Sequence, residues 1–470
     1  LTCGMALLRT RRDKAAGLPF ERFPEEDFLN LLPFSLTGAQ RRVIGEMTAD
    51  LCSGSPMNRL VQGDVGSGKT MLAAYGAWLA AKNGYQCALM APTELLAEQH
   101  YRSLAPLLEQ AGMRVGLLTG AVKGKARKTV YAAMGRGELD LIIGTHALLS
   151  EGVAFARLGL VVTDEQHRFG VGQRAALSAK ANGTPHVLVM SATPIPRTLA
   201  LIIYGDLDVS VVDELPPGRS PVETYVVGED KRQRMYNFVR KLVGEGRQAY
   251  MVCPAVEEGD GEDQEPGGPV PLKAAVTYAE TLRTQVFPDL RVGLVHGKMK
   301  SKEKDAVMTA FAAGELDVLV STTVIEVGVD VPNAALMIVE NADRFGLSQL
   351  HQLRGRVGRG KHQSYCVLVT AIRSQDSRER LRVLSKTNDG FKIAEEDLRL
   401  RGPGDFFGSR QHGLPQLGIA DLAGDMRVLK EAQTAAEELL RADPGLTEPE
   451  HAGLLARVKR LFAEQGDVFN

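Results

Sequence analysis

The chain has 470 residues, of which 44% are hydrophobic and 24% are charged. At about 100–200 residues per domain, this length predicts two to four globular domains with cores of ordinary size. The formal net charge of −1 excludes a polycation that holds nucleic acid by its overall charge, so such binding would need a local basic groove.

The cysteines argue against a zinc site or a disulfide framework. They are scattered, without a Cys-x-x-Cys pair or a Cys/His cluster, which is typical of a reducing cytosol and predicts a cytoplasmic location. No apolar run approaches the ~20 residues of a membrane span, and no signal peptide is visible. Because the sequence begins at Leu1 rather than Met, a fragment of a longer protein is expected.

Residues 1–30 predict a linker helix followed by an extended connector. Pro19 and Pro24 favour extended backbone in the second half of this segment. We interpret the preceding basic cluster as a solvated face, with a DNA contact as the alternative. The cluster comprises Arg9, Arg11, Arg12 and Lys14.

Short apolar runs then alternate with helix-length segments, which predicts parallel sheets covered by helices on both faces. Strands of a first α/β domain (31–217) are predicted at Leu60–Val61, Ala88–Ala91, Val115–Thr119, Leu139–Gly144, Leu160–Thr163 and Val187–Ser191. Strands of a second α/β domain (218–375) are predicted at Thr224–Val227, Ala249–Cys253, Val292–His296, Val318–Ser321, Leu336–Val339 and Cys366–Val369. The boundary is predicted in the proline-rich segment 214–221.

Two further segments differ from this pattern. Glu257–Pro271 is acidic and rich in glycine and proline, so it predicts a disordered loop. Residues 376–470 form a small third element without strands, in which Arg380–Leu400 and Glu431–Leu440 have helical patterns.

A phosphate-binding loop is the strongest local signal. The segment Gly63-Asp-Val-Gly-Ser-Gly-Lys-Thr70 fits G-x-x-x-x-G-K-[ST] without a mismatch, between a predicted strand and a predicted helix at Met71–Ala81. Its glycines let backbone N–H groups turn toward one anion, and the helix N-terminus adds its dipole. Lys69 would reach the β- and γ-phosphates, and the Thr70 hydroxyl would hold Mg²⁺. The alternative is a glycine-rich turn that happens to contain a lysine.

Two adjacent carboxylates, Asp164 and Glu165, follow the predicted strand Leu160–Thr163. Ligands of parallel sheets bind at the carboxyl ends of the strands. Asp164 would hold the Mg²⁺ shell, and Glu165 would act as the general base on the attacking water. An acidic helix cap is the alternative.

Other features narrow the class of nucleotide-binding protein. The absence of Asn-Lys-x-Asp disfavours a GTPase, and the absence of Leu-Ser-Gly-Gly-Gln disfavours an ABC transporter subunit. Arg356 and Arg359 are three residues apart, so on a helix they would share a face and suit bidentate contacts to a γ-phosphate. A solvated basic helix is the alternative.

Taken in order, these motifs resemble those of the superfamily 2 helicases, which have two tandem RecA-like domains. Phe34 and Leu36–Gln40 resemble the adenine-reading Q motif of that superfamily. The further matching segments are 63–70, 91–100, 144–146, 164–167, 191–197, 295–299, 321–330 and 352–359.

Within that superfamily, the chain resembles the RecG-type helicases over about residues 30 to 470. Residues 164–174 resemble both RecG helicases and transcription-repair coupling factors. The segment 388–413 resembles the translocation motif of both and is closer to RecG, as is Leu417–Asp421. The family's N-terminal wedge domain, which splits a DNA fork, is expected to be missing.

The resemblance implies that ATP lies in a cleft between the two domains and that its hydrolysis drives movement on DNA. It also implies that Asp389–Gly413 is a C-terminal helical hairpin and loop that turns cleft closure into movement of the duplex. The implied catalytic residues are Lys69, Asp164, Glu165, Arg356 and Arg359, with Thr70 and Asp164 as Mg²⁺ ligands. The implied ATP-binding residues are Phe34, Gln40, Gly63, Gly66, Gly68, Lys69, Thr70, Gly328 and Asp330. The implied DNA-binding or coupling residues are Thr93, Thr145, His167, Ser191, Thr193, Thr322, Thr323, Arg401, Arg410 and Gln411. For each threonine, a helix cap or an ordinary strand residue is the alternative.

The function that follows from the resemblance is an ATP-dependent DNA helicase or duplex translocase that acts on stalled forks and Holliday junctions in recombination and repair. ATP and Mg²⁺ are the implied cofactors, branched or duplex DNA and a single-strand-binding protein are the implied partners, and a monomer is expected. The alternatives are a fragment of a transcription-repair coupling translocase and an ATP-binding regulatory protein that does not move DNA.

Overall fold

In the computed structural model, the chain forms two compact units. Residues 1–63, 67–214 and 398–470 belong to the first unit, and residues 64–66 with 215–397 belong to the second. The structure describes residues 4, 16–165, 171–193, 207–217, 220–254, 275–322, 331–371, 375–401 and 426–462. None of the helices in these ranges is long and apolar enough to cross a membrane.

The first unit is built on a parallel sheet in the order β3-β4-β2-β5-β6-β1-β7. Its strands are β1 (Asn58–Gly63), β2 (Gln86–Met90), β3 (Val115–Leu118), β4 (Leu141–Gly144), β5 (Leu158–Thr163), β6 (His186–Ser191) and β7 (Asp208–Val212). The predicted α/β class is confirmed, and each apolar run predicted as a strand in this unit overlaps one, with ends that differ by up to two residues where the run extends beyond the strand. Strand β7 was not predicted, because it is an edge strand in which the polar residues Asp208 and Ser210 alternate with valines and interrupt any apolar run.

Helices cover both faces of this sheet. They are α1 (Glu25–Leu29), α2 (Gly38–Leu51), α3 (Lys69–Lys82), α4 (Glu94–Glu109), α5 (Gly124–Gly135) and α6 (Val171–Ser178). The helix after the phosphate loop, α3, is apolar on nearly every side and buries Tyr75 and Trp78, as expected of a helix enclosed by its neighbours. Phe28 of α1 packs edge-on against Tyr75 with ring centroids 5.4 Å apart.

Residues 16–24, in the predicted connector, have no regular secondary structure, and they are attached to the rest of the first unit through His186. The Nδ1 atom of His186 accepts the Met57 N–H at 3.0 Å, and its Nε2 atom lies 3.1 Å from the Leu18 carbonyl. This pair of partners requires a neutral ring with its hydrogen on Nε2, because a protonated Nδ1 cannot accept. Burial lowers the pKa of His186 to about 4.

Acid is expected to destabilise the first unit through His186. In the unfolded chain the His186 ring is protonated below a pH of about 6.5, whereas in the folded chain it stays neutral until about pH 4. Stability present above pH 6.5 is therefore lost as the pH falls, by about 2 kcal/mol between pH 7.5 and about pH 5. Urea unfolding followed by the fluorescence of Trp78, the only tryptophan, measures this loss. The His186→Gln variant keeps a donor and an acceptor without titrating and should lose about 2 kcal/mol less. An equal loss in both chains would contradict the assignment.

The second unit contains a parallel sheet in the order β10-β11-β9-β12-β13-β8. Its strands are β8 (Glu223–Val227), β9 (Gln248–Val252), β10 (Val292–Val295), β11 (Val318–Ser321), β12 (Ala334–Val339) and β13 (Tyr365–Val369), which confirms all six predicted positions. Its helices include α7 (Arg232–Gly244), α8 (Ala275–Thr281), α9 (Ser301–Ala312) and α10 (Leu347–Arg354). The predicted disordered loop at Glu257–Pro271 lies outside the described residues.

The C-terminal helices are α11 (Gln375–Lys386), α12 (Gly390–Arg401), α13 (Met426–Ala442) and α14 (Ala452–Phe462). The prediction of one helix over Arg380–Leu400 was wrong, because the chain breaks at residues 387–389. Asp389 starts a new helix there, since its Oδ1 atom accepts the N–H groups of Phe391 (3.0 Å) and Lys392 (3.3 Å). Glu431–Leu440 lies inside α13, as predicted.

Candidate active site

The phosphate loop joins β1 to α3, as its sequence context predicts. Gly66 and Gly68 have φ angles of 80° and 82°, in the left-handed region that glycine enters without strain. A Cβ atom at Gly63 would lie 2.6 Å from Ser67 Oγ. All three glycines are therefore required by the shape of the loop, and α3 begins directly after it at Lys69.

The Lys69 ammonium lies folded over its own loop. Its Nζ atom donates to the Gly63 carbonyl at 2.7 Å and lies 3.4 Å from Ser67 Oγ. The side chain is only 8% exposed. A positive charge held this close to a helix N-terminus creates a strong local site for an anion.

Gln40 connects the start of α2 to the phosphate loop. Thr37 and Gln40 form a reciprocal capping box, with distances of 3.2 Å and 2.9 Å. Gln40 Nε2 also donates to the Ser67 carbonyl at 2.9 Å. The Phe34 side chain, by contrast, is 52% exposed. The predicted adenine contacts of Phe34 and Gln40 stay predictions.

Asp164 lies at the carboxyl end of β5 with both carboxylate oxygens hydrogen-bonded. Oδ1 accepts the Glu165 N–H at 3.0 Å, and Oδ2 lies 2.8 Å from Nε2 of His100 on α4. Burial raises the pKa of Asp164, but the His100 hydrogen bond and the Lys69 charge outweigh it and hold the pKa below its usual range. The carboxylate is therefore ionised at neutral pH.

Glu165 adopts an uncommon backbone conformation. Its φ angle is 56°, and the residue is only 8% exposed. Positive φ is rare for residues other than glycine, and such conformations concentrate at functional sites. This observation is consistent with the predicted role of Glu165 as the general base, which stays a prediction.

The hydroxyl groups at neighbouring strand ends mainly serve local structure. Thr93 Oγ1 accepts the Leu96 N–H at 3.2 Å as the N-cap of α4. Thr145 Oγ1 lies 3.5 Å from the Ala147 nitrogen, and Ser191 Oγ accepts the Thr193 N–H at 3.2 Å. Because their strands are parallel, these residues share one sheet edge with Lys69 and Asp164. The capping alternative therefore applies to Thr93 and Thr145, and their contact with DNA stays a prediction.

In the second unit, Arg356 and Arg359 do not share a helix face, so the prediction that they lie on one helix was wrong. Helix α10 ends at Arg354, and Gly358 has a φ angle of 78°, which a continuing helix cannot accommodate. Arg356 is 7% exposed, and Arg359 Nε donates to the Gly355 carbonyl at 3.1 Å. The threonine predicted at the end of β11, Thr322, is 9% exposed.

Two residues inside the matching segments were given no role by the sequence analysis. Arg354 is buried and donates to the carbonyls of Leu384 (2.6 Å) and Thr387 (2.9 Å), so it fastens α10 to the end of α11. Burial lowers its pKa. The second residue is His100. Its spacing from Ala97 and Leu104 places it on the buried face of α4, where a polar side chain needs a hydrogen-bond partner, so a signal for it was present in the sequence.

Several predicted residues lie outside the described ranges, and one is described only in its backbone. Arg401 ends α12. The residues outside the described ranges are His167, Thr323, Gly328, Asp330, Arg410 and Gln411.

Three family models match successive parts of the chain. The DEAD/DEAH box helicase model matches residues 37–202, and the helicase conserved C-terminal domain model matches residues 234–361. The model for domain 3, C-terminal, of ATP-dependent DNA helicase RecG matches residues 387–467. This third match covers the region that follows the second sheet.

Known relatives agree with these models. The chain is 56% identical over 421 residues to the ATP-dependent DNA helicase RecG of Synechocystis sp. and covers 50% of it with 90% of its own length. It is 50% identical over 452 residues to RecG of Bacillus subtilis and covers 65% of it with 96% of its own length. The chain therefore spans about half to two thirds of the length of these curated relatives.

Solved structures show the same relationship. A structure of RecG bound to a three-way DNA junction is 45% identical, with a TM-score of 0.75 over 92% of this chain and 55% of that one. The DEAD-box helicase Mss116, at 17% identity, a TM-score of 0.56 and coverage of 82% of this chain and 84% of that one, shares the fold. With its three successive model matches and its high identity to RecG sequences, the chain belongs to the RecG-type family of DNA helicases.

Proposed function

We propose that the chain is an ATP-driven motor that moves duplex or branched DNA. The observation that supports this most directly is that Lys69, the ionised Asp164 and Glu165 follow the carboxyl ends of strands in one parallel sheet. A cation for phosphates, a carboxylate for a metal ion and a carboxylate for water are the parts that phosphoryl transfer to water requires. The RecG relatives are named as ATP-dependent DNA helicases, and one was solved on a DNA junction.

The side chains of the site fit a magnesium ion that arrives with the nucleotide. Mg²⁺ prefers oxygen ligands and is usually held by one or two protein groups together with phosphates and water. Asp164 and Thr70 offer this donor set. When bound, Mg²⁺ neutralises phosphate charge.

The residues of the chain have separate tasks in this mechanism. Lys69 binds and orients the phosphates, and Asp164, together with Thr70, would hold the metal ion. Glu165 takes the proton from the attacking water as the water oxygen bonds to the γ-phosphorus. The bond from that phosphorus to the bridging oxygen breaks, and ADP leaves. Arg356 of the second unit stabilises the charge that develops on the transferred group, as arginines do in related reactions.

DNA is proposed to be held by its backbone rather than by its bases. The threonines and Ser191 offer hydroxyl and backbone N–H groups that suit phosphate oxygens and carry no sequence preference. Binding should therefore weaken as salt rises, because counterions are released from the DNA. Action on forks and Holliday junctions, a single-strand-binding protein as partner, a monomeric state and a cytoplasmic location stay predictions.

The RecG-specific match at residues 387–467 favours the interpretation of the chain as a RecG-type helicase over its interpretation as a fragment of a transcription-repair coupling translocase. It also argues against the alternative of a regulatory protein that binds ATP without moving DNA, because such a protein would not need a translocation motif. That motif provides the test of the proposal.

Replacing Gln411 with alanine is expected to leave DNA-stimulated ATP turnover within about threefold of the parent chain while duplex translocation falls by at least about tenfold, a loss of about 1.4 kcal/mol in coupling. Displacement of a third strand from a DNA triplex measures translocation, and phosphate release in the same mixture measures turnover. Gln233→Ala, exposed on α7, is the matched control and should change neither. Parallel loss of both activities, or of neither, would count against coupling through this segment.

A further inference from the structure

We propose that His100 is a positioning residue for the magnesium–nucleotide site, in which it fixes the orientation of the Asp164 carboxylate. This inference rests on the proposed function of that site and adds to it a residue of the matching segment 91–100 to which the sequence analysis gives no role. His100 touches neither phosphate nor water in the mechanism above, so its effect would pass through Asp164.

The imidazole is held on a rigid support. His100 lies in the second turn of α4, whose first turn is capped by Thr93 and whose inner face packs on β3 and β4. The residue is 5% exposed, between the buried neighbours Ala97 and Leu104. The ring therefore has little freedom to move away from its partner.

The direction of the hydrogen bond follows from the charge of the partner. An ionised carboxylate can only accept, so Nε2 of His100 carries the hydrogen in the 2.8 Å contact with Asp164 Oδ2. The other oxygen, Oδ1, accepts the Glu165 N–H at 3.0 Å. Two donors on opposite oxygens stop the carboxylate from rotating, yet each oxygen keeps a second lone pair for a metal ion or its water.

The same two bonds connect the metal-facing carboxylate to the proposed base. Glu165 donates its N–H to Asp164 from a backbone with a φ angle of 56°. If His100 no longer held Oδ2, the carboxylate could turn, and the support of the Glu165 backbone would weaken with it. Groups that hydrogen-bond to metal ligands commonly contribute 10–100-fold to metal affinity or activity.

A comparison with His186 separates this arrangement from an ordinary buried histidine. Both nitrogens of His186 face backbone groups and link chain segments. Nε2 of His100 instead faces a carboxylate that comes from a motif 64 residues away and is predicted to bind a metal. The carboxylate partner, rather than burial or sequence separation, points to a role in the site.

The test measures how tightly a fluorescent N-methylanthraniloyl-ADP binds at a series of Mg²⁺ concentrations and in EDTA, by anisotropy. His100→Leu removes the donor and is expected to raise the Mg²⁺ concentration for half-maximal binding by about 10–100-fold. Affinity in EDTA should stay within about twofold, because Lys69 and the loop are intact. His100→Gln presents an N–H at a similar reach and should recover most of the loss. Arg102→Gln, an exposed position on the same helix, should match the parent chain.

An unchanged Mg²⁺ requirement in His100→Leu would overturn the proposal, and so would an equal loss of affinity with and without Mg²⁺. If His100→Leu fails to fold, His100→Asn replaces it, because the shorter amide cannot reach Oδ2 whereas that of His100→Gln can. Lys69→Ala separates this inference from the site itself. Normal nucleotide binding in Lys69→Ala would reject the site, whereas lost binding there with a normal Mg²⁺ response in His100→Leu would reject only the role of His100.

Discussion

Replacing Lys69 with alanine is expected to lower DNA-stimulated ATP turnover by at least about 100-fold. The Lys69 ammonium is the cation held directly over the phosphate loop, 2.7 Å from the Gly63 carbonyl. Its removal takes a fixed positive charge from the position where the phosphates gain negative charge during transfer. Steady-state phosphate release at saturating DNA and ATP measures the effect.

The control for this change lies at the opposite end of the same helix. Lys82 is exposed in the last turn of α3, so Lys82→Ala removes a lysine charge without touching the loop. It should keep turnover within about twofold, since a surface charge at a helix end contributes only about 0.3–1 kcal/mol to stability. Near-normal turnover by Lys69→Ala, in the folded state, would show that the phosphate loop is not the site of hydrolysis.

Replacing Arg356 with alanine is expected to lower turnover by about 1,000-fold while Mg²⁺–nucleotide binding stays within about threefold. Arginines that stabilise the transferred phosphoryl group act mainly in the transition state, where they contribute about 10³–10⁵ in rate. Because binding and turnover should separate, anisotropy of the fluorescent nucleotide and phosphate release are measured on the same sample.

Because Arg356 is only 7% exposed, its replacement by alanine could also affect folding, and a second variant is needed to separate the two effects. Arg356→Lys keeps the charge but loses the bidentate fork, and it should also lose most of the turnover while remaining folded. Arg234→Ala, exposed on α7, is the control in the same unit. Equal losses of binding and turnover would indicate a structural role, and unchanged turnover would exclude Arg356 from the reaction.

The phosphate loop and the positions of most strands along the chain could be predicted because their signals are local. Gly66, Gly68 and Lys69 are fixed by the turn they make, and continuous apolar runs can only be buried strands or helices. Asp164 follows from the same logic, because the carboxyl ends of parallel strands meet at one edge. The edge strand β7 was not predicted, because a strand at the edge of a sheet is less covered by helices and tolerates polar residues such as Asp208 and Ser210.

The remaining errors concern interactions that no local pattern determines. Three residues between α11 and α12 interrupt a pattern that is otherwise helical, and the cap at Asp389 competes with helix continuation there. Arg356 does not lie in the predicted helix, because the helix ends at Arg354, where glycines follow. The pairing of His100 with Asp164 joins residues 64 positions apart, so only the folded sheet brings them into contact.

The measurement that tests the central claim most directly is ATP turnover by this chain at low salt without DNA, with single strands, with duplex and with a model fork. The account predicts slow turnover alone and at least about tenfold stimulation by DNA, which declines as salt rises and is absent in Lys69→Ala. Turnover that no DNA accelerates, or stimulation that survives in Lys69→Ala, would contradict it.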